Sequence, residues 1–469
     1  MTLNSSSQHT GTPVVCLVSL GCSKNQVDSE VILGRLAQAG FLIAEEPTHA
    51  DVCLVNTCGF IQDAREESSG VLREMAALRS GGHGPVVVAM GCLVQRAADC
   101  PEMADFLRHA DACVRFTEYP RLPDICRELL EQRHGKKAAM AAPTEDTLNY
   151  NTFLRAPRLR IGAPHTAYLK LGEGCANRCR FCSIPLIRGQ QVSRPLADLV
   201  AEAAQLIRSG TREINLIAQD TTRYGYDLEG RFLLPDLLRA LRDQDRSVWY
   251  RLLYAFPRHL SHEMLETLAS DACFCPYLDL PLQHVADPML TAMGRGHTKE
   301  DAVRLLDDIA RLLPQGVIRT TFIVGYPGET ESHFKELLDF VREGRFQHVG
   351  VFMYSSEPQT PAARLPDDVP PAEKELRRMA LMDAQLDISR KRLAGRVGSV
   401  EDILVDSAIR QGPDVPRNAH YVARSRLEAP EVDGVFFLRT PSAHQLDPGD
   451  RLRARVVEAL DYDVIAVPV

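Results

Sequence analysis

Short apolar runs alternate with amphipathic stretches along the first part of this 469-residue chain. Three of these runs, VVCLVS, DVCLVNT and VVVAMG, are rich in β-branched residues and have the length of buried strands. Strands that are apolar on both faces occur in parallel sheets covered by helices on each side. The pattern over residues 12–130 therefore predicts an open parallel α/β sheet.

The same alternation continues over residues 156–392. Its amphipathic stretches, such as PLADLVAEAAQLIRSG, repeat apolar positions about every 3.6 residues and close on a glycine, which predicts helices. Between them lie the candidate strands TAYLKL, EINLIAQ, WYRLLY, YLDLP, RTTFIVG and VGVFMY. Strands and helices in this order predict a six-stranded parallel (β/α) barrel fragment, which places its chemistry at the carboxyl ends of the strands.

Two further changes, one in residue composition and one in the length of the apolar runs, divide the chain. The stretch GKKAAMAAPTEDTLNYN, residues 135–151, predicts a linker from its alanine, proline and polar content. After RKRLAGRVG the apolar runs become short and turn residues separate them: EDILVD, HYVARS, GVFFLRT, RARVVEAL and DVIAVPV. These runs predict a small antiparallel β-barrel over residues 396–469, so the chain is expected to be an α/β protein of three domains.

Composition restricts the class of protein. The formal net charge of -8 gives no overall electrostatic reason to expect a nucleic-acid partner, although a local basic patch is compatible with it. Thirteen cysteines without a secretory signal favour metal ligation in a reducing compartment over a disulfide framework. Since no apolar run approaches the ~20 residues of a membrane span, we expect a cytoplasmic enzyme with no membrane partner.

The run GCANRCRFCSIP contains the most informative spacing. Cys175, Cys179 and Cys182 form C-x3-C-x2-C, and three thiolates at that spacing can ligate three irons of a 4Fe-4S cube. A cube normally takes four cysteines, so one iron would remain open. The alternative is a zinc knuckle or a group of reduced thiols in the core, but zinc usually takes four ligands from paired C-x2-C units.

A second set of cysteines follows the three strands of the N-terminal sheet. Cys22, Cys58 and Cys92 each come directly after an apolar run, and the carboxyl ends of parallel strands share one edge of a sheet. They can therefore converge on a second cluster with its own open iron. The alternative is that each is a small core residue, as free cysteines often are. That alternative is preferred for the other seven, which are Cys16, Cys53, Cys100, Cys113, Cys126, Cys273 and Cys275.

Several motifs together resemble one family. SLGCSKNQVDSE around Cys22, NTCGFIQDAREES around Cys58, MGCLVQR around Cys92 and the C-x3-C-x2-C loop are similar to the methylthiotransferase family of radical S-adenosylmethionine (SAM) enzymes over nearly the whole chain. The resemblance implies an N-terminal domain with an auxiliary 4Fe-4S cluster, a radical SAM partial barrel and a C-terminal TRAM barrel. It also implies that SAM binds the open iron of the first cluster and is cleaved there to a 5′-deoxyadenosyl radical.

Branch motifs within that family indicate the substrate. SLGCSKN, LIAQDTTRYG, YAFPRHL, YLDLPLQH and RGHT are similar to the branch that methylthiolates the β-carbon of an aspartate in ribosomal small-subunit protein S-twelve. The tRNA-modifying branches usually show TFGCQMN or TLGCKVN at the first position and a GQN-type sequence where this chain has AQD. A tRNA (adenosine) methylthiotransferase is the alternative, and a non-catalytic iron-sulfur or RNA-binding scaffold is a third possibility.

The family mechanism implies roles for particular residues. The six cysteines are cluster ligands, no protein cysteine is covalently modified, and no catalytic side chain is predicted. The open iron of the auxiliary cluster holds the sulfide or methylthio group, while Phe181 and Gln219 are the expected SAM contacts. GYPGET, residues 325–330, lies near the expected adenosyl site, where its glycines and prolines either form a turn or contact the ligand.

The last domain bears on the substrate as well. From Arg396 to Val469 the chain has nine arginines, no lysine and twelve acidic residues, which suits a basic ribosomal protein, free or in the small subunit, better than tRNA. The run RLRARV can form a local basic stripe or simply a solvated strand face. The reaction further implies a low-potential electron donor and a sulfur source as partners.

Overall fold

The structure is a computed structural model that describes residues 11–79, 84–133, 150–409, 412, 415–440 and 445–469. The predicted linker lies almost entirely outside the described residues. The chain divides into two compact units. The first runs to Ile161 and also includes the short segment Leu186–Arg188, and the second comprises Gly162–Pro185 and Gly189–Val469.

The first unit is an α/β layer. Its strands are β1 (Val14–Ser19), β2 (Leu42–Ile43), β3 (Val52–Thr57), β4 (Val86–Gly91) and β5 (Ala112–Val114). Its helices are α1 (Ser23–Gln38), α2 (Gln62–Ala77), α3 (Cys92–Asp99), α4 (Leu122–Arg133) and α5 (Tyr150–Leu154). The sheet order is β2-β1-β3-β4-β5 and every pairing is parallel, as predicted. β3 and β4 are buried along their full length, because helices cover a parallel sheet on both faces.

The second unit contains the predicted partial barrel. Its six strands are β6 (Thr166–Lys170), β9 (Glu213–Ile217), β10 (Trp249–Leu252), β11 (Phe274–Asp279), β12 (Val317–Val324) and β13 (His348–Met353). They pair in parallel in sequence order, and β6 and β13 form the two edges. β7 (Gly172–Glu173) and β8 (Val192–Ser193) form a separate antiparallel pair. The prediction of a (β/α) barrel fragment is confirmed.

Helices surround this sheet. They are α7 (Leu196–Arg208), α8 (Tyr226–Glu229), α9 (Leu234–Gln244), α10 (His262–Ala269), α11 (Asp287–Met293), α12 (Lys299–Leu312), α13 (Glu331–Arg342) and α14 (Pro371–Arg396). α6 (Ile184–Arg188) spans the boundary between the two units. None of the described helices combines the length and the apolar character needed to cross a bilayer.

The C-terminal strands close into the predicted small barrel. They are β14 (Val400–Ala408), β15 (Tyr421–Ser425), β16 (Phe436–Leu438), β17 (Arg451–Ala459) and β18 (Val464–Pro468), in the order β14-β15-β16-β18-β17. Four pairings are antiparallel, whereas β16 pairs with β18 in parallel. Along β17 the three arginines lie on the outer face of the strand, while Ala454 and Val456 point into the barrel core.

A buried ion-pair network joins this barrel to the parallel sheet within the second unit. Arg251 Nε lies 2.8 Å from Glu213 Oε1, and Arg424 Nη1 lies 2.8 Å from Glu213 Oε2. Arg424 also pairs with Asp406, which in turn accepts a hydrogen bond from His165. Burial opposes ionisation of Glu213, but the two guanidinium groups outweigh it and lower the pKa of this carboxyl.

We expect Glu213→Gln to lower the free energy of unfolding by about 3 kcal/mol, because it removes the carboxylate that pairs with the buried Arg251 and leaves Arg424 with Asp406 as its remaining counter-charge. Urea denaturation followed by the fluorescence of Trp249, the single tryptophan, measures the loss. Since the pKa of Glu213 is lowered in the folded state, the difference from wild type should shrink as the pH falls through that pKa. The matched control is Glu263→Gln on the exposed pair with Arg239, worth less than about 1 kcal/mol.

Candidate metal centres

The strand order of the first unit brings Cys22, Cys58 and Cys92 to one edge of the sheet. Cys22 is the N-cap residue of α1, just beyond β1. Cys58 directly follows β3, and Cys92 begins α3 directly after β4. Because β1, β3 and β4 are consecutive neighbours, their carboxyl ends lie side by side. The structure therefore gathers three thiols that are far apart in sequence.

Side-chain amides hold the ends of β1 and β3 together. Asn25 Nδ2 donates to the carbonyl oxygens of Leu20 (3.0 Å) and Thr57 (3.2 Å). Asn56 Nδ2 donates to the carbonyl oxygen of Asn25 (3.0 Å) and to Ser29 Oγ (2.9 Å). Both asparagines are buried, so each donor needs these acceptors. The amides thus link the loop after β1 to the end of β3.

The loop that carries Cys58 is fixed from two sides. The Cys58 backbone N–H donates to Ser68 Oγ (3.0 Å), a buried hydroxyl on α2. The buried guanidinium of Arg96, in the run MGCLVQR, donates to the carbonyl oxygen of Gly59 (2.9 Å). The motifs around the cysteines therefore contain the side chains that position the neighbouring loops.

Burial acts on the thiols of this group. Burial raises the pKa of Cys92 to about 12, an effect opposed by the guanidinium of Arg188 and reinforced by the thiols of Cys22 and Cys58. Burial likewise raises the pKa of Cys58. A cation that replaces these protons relieves the cost, since thiolates are the form that binds metal.

The second triad lies in the loop between β7 and α6. The Cys175 N–H donates to the carbonyl oxygen of Gly189 (3.1 Å), and the Cys182 N–H donates to that of Cys179 (3.2 Å). The N–H of Arg180 donates to the carbonyl oxygen of Met293 (2.9 Å), which ties the loop to the end of α11. The three cysteines are therefore held on one folded loop.

Burial and the arginine Arg295 both act on the thiols of this loop. Burial raises the pKa of Cys175 to about 11 and that of Cys182 to about 12. The buried guanidinium of Arg295 donates to Cys179 Sγ (3.2 Å) and lies 4.3 Å from the centre of the Phe256 ring. A cationic donor at a thiolate stabilises its charged form.

Asp220 connects the cluster loop to two strand-end loops. Its Oδ2 accepts hydrogen bonds from Asn177 Nδ2 (2.8 Å) and lies 2.8 Å from His259 Nδ1, while its Oδ1 accepts from Thr222 Oγ1 (2.6 Å). The carboxylate is buried and its oxygens are occupied. Sequence reasoning missed Asn177 and His259, because no spacing connects them to Asp220.

The predicted SAM contacts lie in the same unit. Phe181 is half-buried and packs against a cluster that includes Met293, Tyr326 and Tyr354. Gln219 follows β9, is half-buried, and makes no side-chain hydrogen bond within the described part of the chain. In GYPGET, Glu329 is buried against His284 and Arg377, so its carboxylate supports the fold of this turn.

The remaining cysteines occupy ordinary packing positions. Cys16 and Cys53 are buried cross-strand partners on β1 and β3. Cys100, Cys126, Cys273 and Cys275 are also buried, whereas Cys113 is exposed. All thirteen cysteines are free thiols.

Among the described residues, no three His, Cys, Asp or Glu side chains are arranged to share one metal ion. This finding excludes a preformed single-ion site of the zinc type there. It does not conflict with a cube, because each cysteine of a 4Fe-4S cluster binds a different iron and the sulfurs stand farther apart. Three thiols at each place are the donors that ligate three irons of a 4Fe-4S cube, so both sets fit that group.

Sequence profiles match all three parts of the chain. The profile described as "Uncharacterized protein family UPF0004" matches residues 14–114, that of the "Radical SAM superfamily" matches residues 169–341, and that of the "TRAM domain" matches residues 397–469. Among solved structures, the radical SAM methyltransferase TsrM from Kitasatospora setae aligns with a TM-score of 0.54 at 14% identity, over 85% of this chain and 79% of that one. Fold and site thus define a radical SAM enzyme.

Relatives of nearly equal length narrow the class. A protein of Clostridium tetani named "Ribosomal protein uS12 methylthiotransferase RimO" is 38% identical over 96% of this chain and 97% of its own. One of the same name from Desulforudis audaxviator is 42% identical over 96% of both chains. The chain belongs to the RimO family of ribosomal protein uS12 methylthiotransferases.

Gly91 provides a test of how the first triad is positioned. Its φ is +96°, and a Cβ there would lie 2.3 Å from Asn56 Oδ1 and 2.6 Å from the Thr57 carbonyl oxygen. We expect Gly91→Ala to destabilise the metal-free protein by at least about 1 to 2 kcal/mol from the backbone conformation alone. Thermal unfolding measures this loss.

The matched control is Gly70→Ala. Gly70 lies inside α2 and a Cβ there meets no atom within 4 Å, so alanine should stabilise the helix by up to about 1 kcal/mol. Equal melting temperatures for the two variants would contradict the tight fit around Gly91.

Proposed function

We propose that this chain adds a methylthio group to the β-carbon of an aspartate in ribosomal protein uS12, the small-subunit protein S-twelve. Relatives named as ribosomal protein uS12 methylthiotransferases align over 96% of the chain at 38% and 42% identity, and the aspartate β-carbon is the site that the branch motifs imply. The branch motifs SLGCSKN and AQD agree with the same assignment. A tRNA substrate is not favoured, because these relatives are named for a protein substrate.

The observation that carries the proposal is the presence of two separate three-thiol sites. Cys175, Cys179 and Cys182 hold one 4Fe-4S cluster and leave one iron open for SAM. Cys22, Cys58 and Cys92 hold the auxiliary 4Fe-4S cluster. Each set contains a thiol, Cys92 in one and Cys182 in the other, whose burial makes a bound cation favourable, which supports ligation at both places.

Two clusters suit the difficulty of the reaction. The C–H bond at the β-carbon of aspartate is too weakly acidic for a side-chain base at neutral pH, so substitution there needs a carbon radical. When bound, SAM and the two clusters supply the radical that removes this hydrogen and the methylthio group that replaces it. The side chains of this protein hold and orient these groups.

Two residues in the same unit as Cys175, Cys179 and Cys182 support SAM binding. The amide of Gln219, free of hydrogen bonds to the described residues, is available to the polar methionyl part of SAM, and Phe181 offers an apolar face beside Met293. Asp220 serves a different purpose, because its oxygens already hold Asn177 and His259. It positions the cluster loop.

Anaerobically reconstituted protein should contain about eight irons per chain, corresponding to two 4Fe-4S clusters. Replacing Cys175, Cys179 and Cys182 with alanine should leave about four irons and abolish cleavage of SAM to 5′-deoxyadenosine. Replacing Cys22, Cys58 and Cys92 should also leave about four irons but spare some cleavage, since the remaining cluster still binds SAM. Iron analysis and chromatography of the nucleoside products measure both quantities.

A wild type with four irons would contradict the two-cluster assignment. Two clusters without any SAM cleavage under strong reductant would instead support a non-catalytic scaffold. Cys113→Ala, at an exposed cysteine outside both sets, is the matched control and should change neither quantity.

The C-terminal barrel is proposed to recognise uS12 and to take no part in the chemistry. Part of its acidic excess is neutralised from outside the barrel, because Asp433 pairs with Arg319 of the parallel sheet. The surface field is therefore weaker than the residue count suggests. Exposed acidic side chains such as Asp402 are the ones that can steer a basic partner.

Asp402 and Arg453 offer a matched pair of opposite charge. They are direct cross-strand partners on β14 and β17, and both are exposed. With a basic ribosomal protein as substrate, Asp402→Asn should slow association about twofold and Arg453→Gln should speed it about twofold, which corresponds to about 0.5 kcal/mol for one exposed charge.

Stopped-flow binding to uS12 at low salt measures both rates, and high salt should remove the difference. Opposite signs, together with salt-sensitive binding of tRNA, would favour the tRNA substrate. Full-length variants are required, because deleting the barrel would strip Glu213 of its contact with Arg424.

The reaction also needs a low-potential electron donor and a sulfur source as partners. We propose that the protein works in the cytoplasm, where its ribosomal substrate is found. The thirteen free thiols suit a reducing compartment.

A further inference from the structure

One buried arginine makes a polar contact with Cys92, a member of the N-terminal set of three cysteines. Arg188 Nε donates to Cys92 Sγ at 3.3 Å. The residue closely follows Cys182 in sequence, within α6, yet the segment Leu186–Arg188 groups with the first unit. The stretch that follows the radical SAM cysteines thus contributes a side chain to the other metal centre.

The guanidinium of Arg188 is held in a single orientation. Its Nη1 lies 3.1 Å from Asp28 Oδ2, and its Nη2 donates to Asn25 Oδ1 at 2.5 Å. Its carbon atom lies 5.1 Å from the centre of the Phe116 ring. The Arg188 and Asp28 side chains are each only 1% exposed. Each of the three nitrogens of this planar guanidinium has its own acceptor. The group therefore cannot rotate away from the Cys92 sulfur without losing all three contacts.

Such a donor changes the properties of an iron-sulfur cluster. Hydrogen bonds to cysteine sulfur withdraw electron density and help to set the reduction potential of the cluster. A charged donor in a buried site acts more strongly than a neutral one in water. Asp28 offsets the net charge of the guanidinium, so the directed hydrogen bond to Cys92 is the main effect that remains.

We infer that Arg188 is a positioning residue that holds Cys92 and raises the reduction potential of the auxiliary cluster, with Asp28 limiting the size of that effect. The inference rests on the proposed function, since it requires the auxiliary cluster at Cys22, Cys58 and Cys92. Arg188 and Asp28, the two members of one buried ion pair, thus act in opposite directions on the reduction potential of the auxiliary cluster.

The triple variant Cys175→Ala/Cys179→Ala/Cys182→Ala isolates the auxiliary cluster for measurement. In this background, a redox titration followed by electron paramagnetic resonance gives the potential directly. Arg188→Gln should shift the potential to more negative values. At a fixed applied potential the ratio of reduced to oxidised cluster should fall at least about tenfold, which is about 59 mV for a one-electron couple. Arg188→Lys should give an intermediate value, because lysine keeps the charge but cannot form the fork.

Asp28→Asn provides the opposite test and does not require removal of the arginine. It leaves the guanidinium without its counter-charge and should shift the potential to more positive values. This variant decides the question if Arg188→Gln fails to assemble a cluster. The control variant Arg108→Gln, at an exposed arginine of the same unit, should leave the potential unchanged.

An unchanged potential in Arg188→Gln, or a shift of Asp28→Asn to more negative values, would overturn the inference. A purely structural role for the pair predicts lower melting temperatures without opposite shifts of the potential. A triple variant that binds no iron would overturn the proposed auxiliary cluster, and this inference with it.

Discussion

Side-by-side pairing of β1, β3 and β4 is the interaction on which the first metal centre depends. Val15–Ser19 align with Val52–Asn56, and Val52–Thr57 align with Val86–Gly91, so the cysteine after each strand arrives at the same edge. A slip of one residue would move a thiol by about 3.3 Å and turn every side chain of that strand to the other face. The amides of Asn25 and Asn56 oppose such a slip, because buried donors would lose their acceptors. The sheet therefore determines where the sulfurs stand, independently of any metal.

The parts of this architecture that repeat along the chain could be predicted from sequence. Buried parallel strands are visible in the sequence as runs of β-branched residues. One cysteine set is visible as the local C-x3-C-x2-C spacing, and the other because each of its cysteines follows an apolar run. The parallel pairing of both sheets and the small final barrel were predicted from those patterns. The two-residue β2 and the three-residue β5 left no periodic signal because they are too short, and the parallel pairing of β16 with β18 depends on barrel closure.

The polar groups around the sites could not be predicted in the same way. Asn177 meets Asp220 and Arg188 meets Cys92 across long stretches of sequence, and nothing in local spacing relates these partners. The acidic balance of the barrel was also an incomplete guide to its surface, because Arg319 of the parallel sheet neutralises Asp433, which a count over residues 396–469 treats as free. Ion pairs between distant residues are properties of the folded chain, so composition overstates the field that a partner meets.

The contact of Arg424 with Glu213 bears on how substrate range can change in this family. A barrel transplanted from a branch with a different substrate would have to bring an arginine at this position, or it would leave a carboxylate without its second counter-charge inside the parallel sheet. Exchange of whole domains is therefore a costly route to a new substrate. Gradual replacement of exposed side chains on the outer strands leaves the buried network intact, and it is the route that this junction permits.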